Sequence, residues 1–177
     1  MNKDEKSRIK QLKELNILDT QSEDQFDNIV ELASSICNTP ISLISLVDDK
    51  RQWFKANKGL SVSETPRDIA FCSHAILNDI PFIIEDATLD DRFKNNPLVV
   101  EDPGLVFYAG IPLTTQEGSN LGTLCVLDVQ KNSISEQQIH SLKLLAKQVV
   151  YLIESRFKLE SSTIEQQEIR SRLQSAN

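Results

Sequence analysis

Residues 41–56 read ISLISLVDDKRQWFKA, and their pattern sets the architecture. Ile41 to Val47 (ISLISLV) alternates along an extended chain, with Ile41, Leu43, Ser45 and Val47 on one face and Ser42, Ile44 and Leu46 on the other. Asp48-Asp49-Lys50 is a polar turn, and Arg51 to Ala56 (RQWFKA) is the return strand of a hairpin, stopped by Asn57-Lys58-Gly59. Strands joined by so short a turn are antiparallel, because a parallel neighbour needs a crossover of a dozen or more residues.

The pairing recurs downstream. Phe107 to Leu113 (FYAGIPL) and Leu121 to Asp128 (LGTLCVLD) flank a turn at Thr115 to Asn120, where Gly118 is free to take positive φ. Phe82 to Ile84 adds a short strand. Helical periods lie outside these strands. Ile9, Leu12 and Leu15 mark a short amphipathic helix within residues 1–20. Ser22 and Gln25 have capping-box spacing ahead of the stripe Phe26, Ile29, Val30, Ala33, Ile36 and Cys37, which Asn38-Thr39-Pro40 ends. Ser135 and Gln138 repeat the spacing ahead of Ile139, Leu142, Leu145, Ala146, Val149, Leu152 and Ile153. Ile69 to Leu77 has room for about two helical turns. Residues 60–68 read as a polar loop, and Asp86 to Pro97 as an acidic loop with one helical turn near Asp90 to Lys94. The order predicts an α+β fold: a central antiparallel sheet, the N- and C-terminal helices on one face, and residues 60–105 roofing a pocket on the other.

The whole chain has 177 residues, 40% hydrophobic and 25% charged, as expected for one globular domain with a helical extension. Nineteen basic against 26 acidic side chains leave a formal charge of −7, which argues against nucleic acid or an anionic membrane as partner. The longest apolar run, Leu105 to Leu113, is broken by Gly110 and Pro112 and falls short of the roughly 18–20 residues of a membrane helix. The charged opening MNKDEKSRIKQLKEL lacks a signal-peptide core, and three scattered cysteines form no disulfide framework, so the expected compartment is the cytoplasm.

Catalytic and metal signatures are sparse. Neither phosphate-loop pattern occurs, the histidines are His74 and His140 alone, and no C-x-x-C is present, so no metal is expected. In Cys72-Ser73-His74 the two reactive side chains point about 200° apart on one helix, which rules out direct pairing. Cys72 shares a face with Ile69 and Ile76 and reads as a small buried hydrophobe, as do Cys37 and Cys125 in their apolar runs. His74, three residues from Phe71, either points into a pocket or caps a sheet edge. Asp90 reads as a helix-start cap paired with Arg92. Arg67 is placed to hold an anionic ligand or to tie its loop to Asp86. Tyr108 shares its strand face with Gly110, opposite Phe107, and is either a cavity phenol or a core tyrosine.

Several of these segments together resemble a bacterial GAF domain. The carriers are Ile17-Leu18-Asp19-Thr20, Ser45-Leu46-Val47-Asp48, Arg51-Gln52-Trp53-Phe54, and Arg67 with Phe71-Cys72-Ser73-His74-Ala75-Ile76. Asp90-Asp91-Arg92-Phe93 with Asn96-Pro97-Leu98-Val99, Phe107 to Leu113 and Leu121 to Asp128 continue the series, so the likeness spans about residues 14–157. It is strongest to the type that precedes histidine-kinase or diguanylate-cyclase output domains.

The resemblance implies a sensory module without enzymatic activity, which binds a small ligand or a partner, dimerises through its terminal helices and signals along the last one. It names no cofactor. The candidate pocket residues are Arg67, Phe71, His74, Asp86, Arg92, Phe93 and Tyr108. The expected division is a helical segment at 1–20, a GAF domain at 21–157 and a signalling helix at 158–177. Homodimerisation is expected along the seam Ile139, Leu142, Ala146, Val149, Ile153 and Arg156. A ligand-free dimerisation module is the alternative. In bilin-binding relatives the attaching cysteine stands next to a histidine, whereas Ser73 intervenes here, which argues against a covalent chromophore. The cysteines also do not match the loop arrangement of the methionine sulfoxide reductase branch.

Overall fold

The hairpin read from residues 41–56 forms as expected and becomes the middle of a larger sheet. In the computed structural model, which describes residues 5–175, β1 (Ile41–Val47) pairs antiparallel with β2 (Arg51–Lys58). β3 (Glu64–Pro66), β4 (Phe82–Ile84), β5 (Phe107–Thr114) and β6 (Asn120–Asp128) complete a six-stranded antiparallel sheet in the order β3-β2-β1-β6-β5-β4. β3 lies within the segment expected to be loop. Pro66 sits at the sheet's edge, where its missing N–H costs no ladder bond.

Alternation divides the core in two. Ile44, Leu46, Trp53, Phe107, Ala109 and Ile111 face α1 (Glu5–Glu14), α2 (Asp24–Cys37) and α5 (Glu136–Ser175). Leu43, Val47, Phe54, Tyr108, Cys125 and Leu127 face the opposite way, under the segment between β2 and β5. That segment carries a 3-10 turn at Arg67–Ile69, then α3 (Cys72–Ala75) and α4 (Pro97–Val100). The expected two-turn helix at 69–77 is therefore cut to one turn, because Ala70 is extended (φ −78, ψ 127) and Ser73 Oγ donates to the Arg67 carbonyl at 2.7 Å.

The helix termini separate two similar sequence signals. Ser135 and Gln138 form a reciprocal capping box, with Ser135 N donating to Gln138 Oε1 (2.9 Å) and Gln138 N to Ser135 Oγ (3.2 Å). Ser22 forms none; Glu23 is the N-cap of α2 and makes no side-chain cap bond. Its carboxylate is drawn instead to Lys55 (2.5 Å) and Arg156 (3.1 Å). At the other end Asn38 takes the left-handed conformation (φ 51, ψ 49) and closes α2.

The terminal-helix seam also needs correction. Leu142, Ala146, Val149 and Ile153 are buried against this chain's own sheet and α2, so they are not an open dimer face. Arg156 donates to Glu23 and to the Asn16 carbonyl. Leu144, Tyr151, Ile169 and Leu173 on the opposite side of α5 are exposed, as are Leu159 and Ile164 in its last part. Among the described residues no helix is long and apolar enough to cross a membrane.

Candidate functional site

A cavity of about 490 Å³ lies on the sheet face opposite the terminal helices. Its floor is the alternating set that β1, β2, β5 and β6 turn away from those helices: Leu43, Phe54, Tyr108, Cys125 and Leu127. Its walls come from the chain after β2 (Leu60, Val62, Thr65), from Phe71 and Cys72 at the start of α3, and from Leu98 and Leu105 around α4. Gly59 (φ 89) makes the bend that starts the first wall, and a Cβ there would meet the Pro40 carbonyl at 2.4 Å.

The polar groups of the cavity are few and organised. Gln52 is buried, accepts from Ser45 Oγ (2.9 Å) and donates to Thr65 Oγ1 (2.8 Å), so β1, β2 and β3 share one chain of hydrogen bonds. Glu64 and Asp102 place carboxylates in the lining, and Glu64 is paired with Arg51 at 2.7 Å. Among the described residues, no lysine, arginine or histidine lines the cavity.

Deeper in, the Cys72 Sγ lies 3.2 Å from Tyr108 Oη and 3.0 Å from Thr123 Oγ1. Gly110 makes this possible, because the Tyr108 ring folds back across it; a Cβ at Gly110 would stand 2.2 Å from the phenol oxygen. Burial, and then the neighbouring Cys72, push Tyr108 and Cys125 well above their ordinary pKa values. Burial opposes ionisation of Cys72 as well, but its polar neighbours Cys125, Thr123, Tyr108 and Ser45 outweigh it and bring Cys72 down to about 7. Cys72 is thus a hydrogen-bonded thiol, not the plain hydrophobe of the sequence reading.

Of the seven candidate residues, Phe71 and Tyr108 line this cavity. Phe93 stacks on Phe71 at 4.2 Å, behind the wall. His74 faces Phe82 (6.2 Å) and Phe93 (4.8 Å), and burial followed by the Arg92 charge lowers its pKa. Arg92 lies over Phe82 (5.1 Å) and bonds Asp90, whose carboxyl it holds at about 2. Asp86 accepts from Thr88 N at 3.0 Å. Arg67 is not among the residues lining this cavity; it donates to Glu5 (2.6 Å) and to the Asp48 carbonyl (3.0 Å), joining the roof to α1 and the β1–β2 turn. Leu43, Phe54, Leu60, Leu98 and Leu105 do not stand out in the sequence. The alternation that sets Leu43 opposite Ile44 is the signal that identifies the floor. Among the described residues no group of three or more His, Cys, Asp and Glu side chains comes together to hold a metal ion.

Comparison with known proteins agrees with this architecture. A GAF domain family model matches residues 21–153. A Pseudomonas aeruginosa protein named cyclic di-GMP phosphodiesterase is 43% identical over 148 residues, which cover 83% of this chain and 25% of that protein. The chain therefore spans about a quarter of that relative's length. The relative's name is that of an enzyme, which overturns the expectation that the chain stands apart from enzymatic activity. Among solved structures, the GAF domain of an Acinetobacter phosphoenolpyruvate-protein phosphotransferase superposes with a TM-score of 0.62 at 20% identity, covering 88% of this chain and 95% of that one. The blue-light absorbing form of the Thermosynechococcus elongatus PixJ GAF domain gives 0.60 at 12% identity, over 92% and 96% of the two chains. At such identities these two establish the fold alone.

Proposed function

The chain belongs to the GAF domain family, and on that premise we propose that it is a sensory region serving a cyclic di-GMP phosphodiesterase, tuned by a small molecule held in the cavity. The observation that carries this reading is the placement of that cavity. It lies against one face of the sheet while α1, α2 and α5 pack on the other, so the same strands form the cavity floor and the helices' seat. A ligand acts only through its differential affinity for two arrangements of those helices.

The lining restricts the ligand. About 490 Å³ suits a small organic molecule. The walls are mostly apolar, and their charged members, Glu64 and Asp102, are acidic. A neutral or cationic molecule with an apolar body fits; cyclic di-GMP, with two phosphates and no cation to meet them, does not. The signalling element is α5, 40 residues and so about 60 Å long. Its last part exposes Leu159, Ile164, Ile169 and Leu173. Residues 161–175 are exposed throughout, so these apolar side chains have no cover within the chain, and a second copy is the proposed partner for this stretch.

A thermal-shift screen tests the reading. Neutral and amine-bearing compounds at 100 times their dissociation constant stabilise by about 2.7 kcal/mol, a rise in Tm of several degrees. Leu43→Trp, which fills the floor, is expected to abolish the shift. Stabilisation by anionic nucleotides alone, or by nothing in a broad set, overturns the ligand reading. Monomer alone in sedimentation at micromolar concentration overturns the dimer.

A further inference from the structure

We propose that Cys72 and Cys125 are a redox-active dithiol that closes to a disulfide on exposure to a hydroperoxide, joining α3 to β6. Both cysteines are free, both are buried, and both line the same cavity. Thr123 and Cys125 stand two apart on β6, so their side chains share one face of the strand. Cys72 packs against that face, with its sulfur 3.0 Å from Thr123 Oγ1. The thiol that ionises most readily therefore shares a cavity wall with a second thiol. The exposed Ser61, Val62, Glu64 and Asp102 form the cavity's outer wall, so a molecule as small as a peroxide has a route from solvent to sulfur.

The chemistry needs a hydroperoxide and nothing else. The Cys72 thiolate attacks the terminal oxygen and the O–O bond breaks. The departing alkoxide or hydroxide takes up the proton that Cys72 has lost and leaves as alcohol or water. The peroxide is thereby reduced by two electrons and the sulfur oxidised to a sulfenic acid. The Cys125 thiol then attacks the Cys72 sulfur; an S–S bond forms, the S–O bond breaks, and the released hydroxide takes the Cys125 proton to give water. Thr123 and Tyr108 hold the Cys72 sulfur in place throughout. Cys37 is the internal control. It belongs to α2 on the other side of the sheet, and burial pushes its thiol up to about 11.

The product ties the roof to a central strand on whose reverse face α1, α2 and α5 pack. Oxidation would thus reach the element proposed to carry the signal. The dithiol shares the cavity with the ligand reading but needs no ligand, and its test is blind to ligand binding.

The test is a thiol titration of the reduced wild-type chain before and after hydrogen peroxide, read after denaturation. The expected result is a fall from three thiols to one, a mass lower by two hydrogens and a linked peptide pair containing Cys72 and Cys125. Dithiothreitol should restore all three. Cys37→Ala should fall from two thiols to none. Cys125→Ser should leave a sulfenic acid at Cys72 that dimedone traps. Three thiols persisting, a linkage through Cys37, or wild-type oxidation that stops at Cys72 with Cys125 still free would each overturn the proposal.

Discussion

Glu23 and Lys55 offer a test in which the two halves of one ion pair should respond unequally. Lys55 projects from β2 into the helix-side core with its side chain fully buried. Its ammonium donates to Glu23 Oε2 (2.5 Å), Gln21 O (2.6 Å) and Thr20 Oγ1 (2.9 Å), and lies 5.1 Å from the centre of the Phe26 ring. Glu23 is 34% exposed and is shared with Arg156 at 3.1 Å. Glu23→Gln leaves the ammonium in the core with neutral partners only. Breaking a fully buried pair from one side costs about 3–5 kcal/mol. Because two acceptors and the ring remain and Glu23 is partly wet, about 2–3 kcal/mol is expected here.

Lys55→Met removes the buried charge and keeps the packing, while Glu23 retains Arg156 and water. Its expected cost is about 1 kcal/mol or less, chiefly the donor lost to the Gln21 carbonyl. The gap of about 1–2 kcal/mol, at a slope of about 2 kcal/mol per molar urea, separates the unfolding midpoints by about 0.5–1 M. Burial works against the Glu23 carboxylate, but Lys55 and then Arg156 outweigh it and hold its pKa below the usual 4.5. Its stabilisation is therefore complete above pH 4.5 and fades as pH falls through the lower folded value, a limb that Glu23→Gln should flatten. A Lys55→Met midpoint at or below that of Glu23→Gln would refute the reasoning.

Two further substitutions probe the cavity side and the N-terminal helix. Gly110→Ala places a methyl 2.2 Å from the Tyr108 phenol; displacing the ring should cost about 1–3 kcal/mol, a fall in Tm of about 2–12 °C, and an unchanged Tm would contradict it. Glu5 is drawn down to about 2, first by its hydrogen bond to Arg8 and also by Arg67, so its stabilisation is present above pH 4.5 and lost as pH falls towards 2. Glu5→Gln should remove that acid limb in pH-dependent unfolding while costing about 1 kcal/mol or less at neutral pH, since the carboxylate is half exposed.

What the sequence discloses depends on how far away the deciding contact lies. Ile41 to Val47 and Arg51 to Ala56 are legible because period-two alternation and a short turn are local, though β2 runs two residues further, to Lys58, and the Ser135–Gln138 box is legible because its partners are three residues apart. Ser22 misled because Glu23 answers to Lys55 and Arg156, 32 and 133 residues away. The periodicity of α5 identified a buried face correctly but carried no information on what covers it: one stripe serves equally for a partner helix or for the chain's own sheet. The same limit governs the site. Charged residues selected for their chemistry turned out to be engaged beside themselves, Asp86 with Thr88 and Arg92 with Asp90. Phe71 and Tyr108 reached the cavity because they are large and face the side away from the terminal helices. Leu43, Leu60 and Leu105 remained indistinguishable from packed core, since an apolar wall and an apolar interior call for the same residues. A cavity is volume that no side chain enters. Its local trace here is a glycine beside a tyrosine on one strand face: Gly110 lets the Tyr108 ring lie flat along the sheet instead of standing up into the space above it.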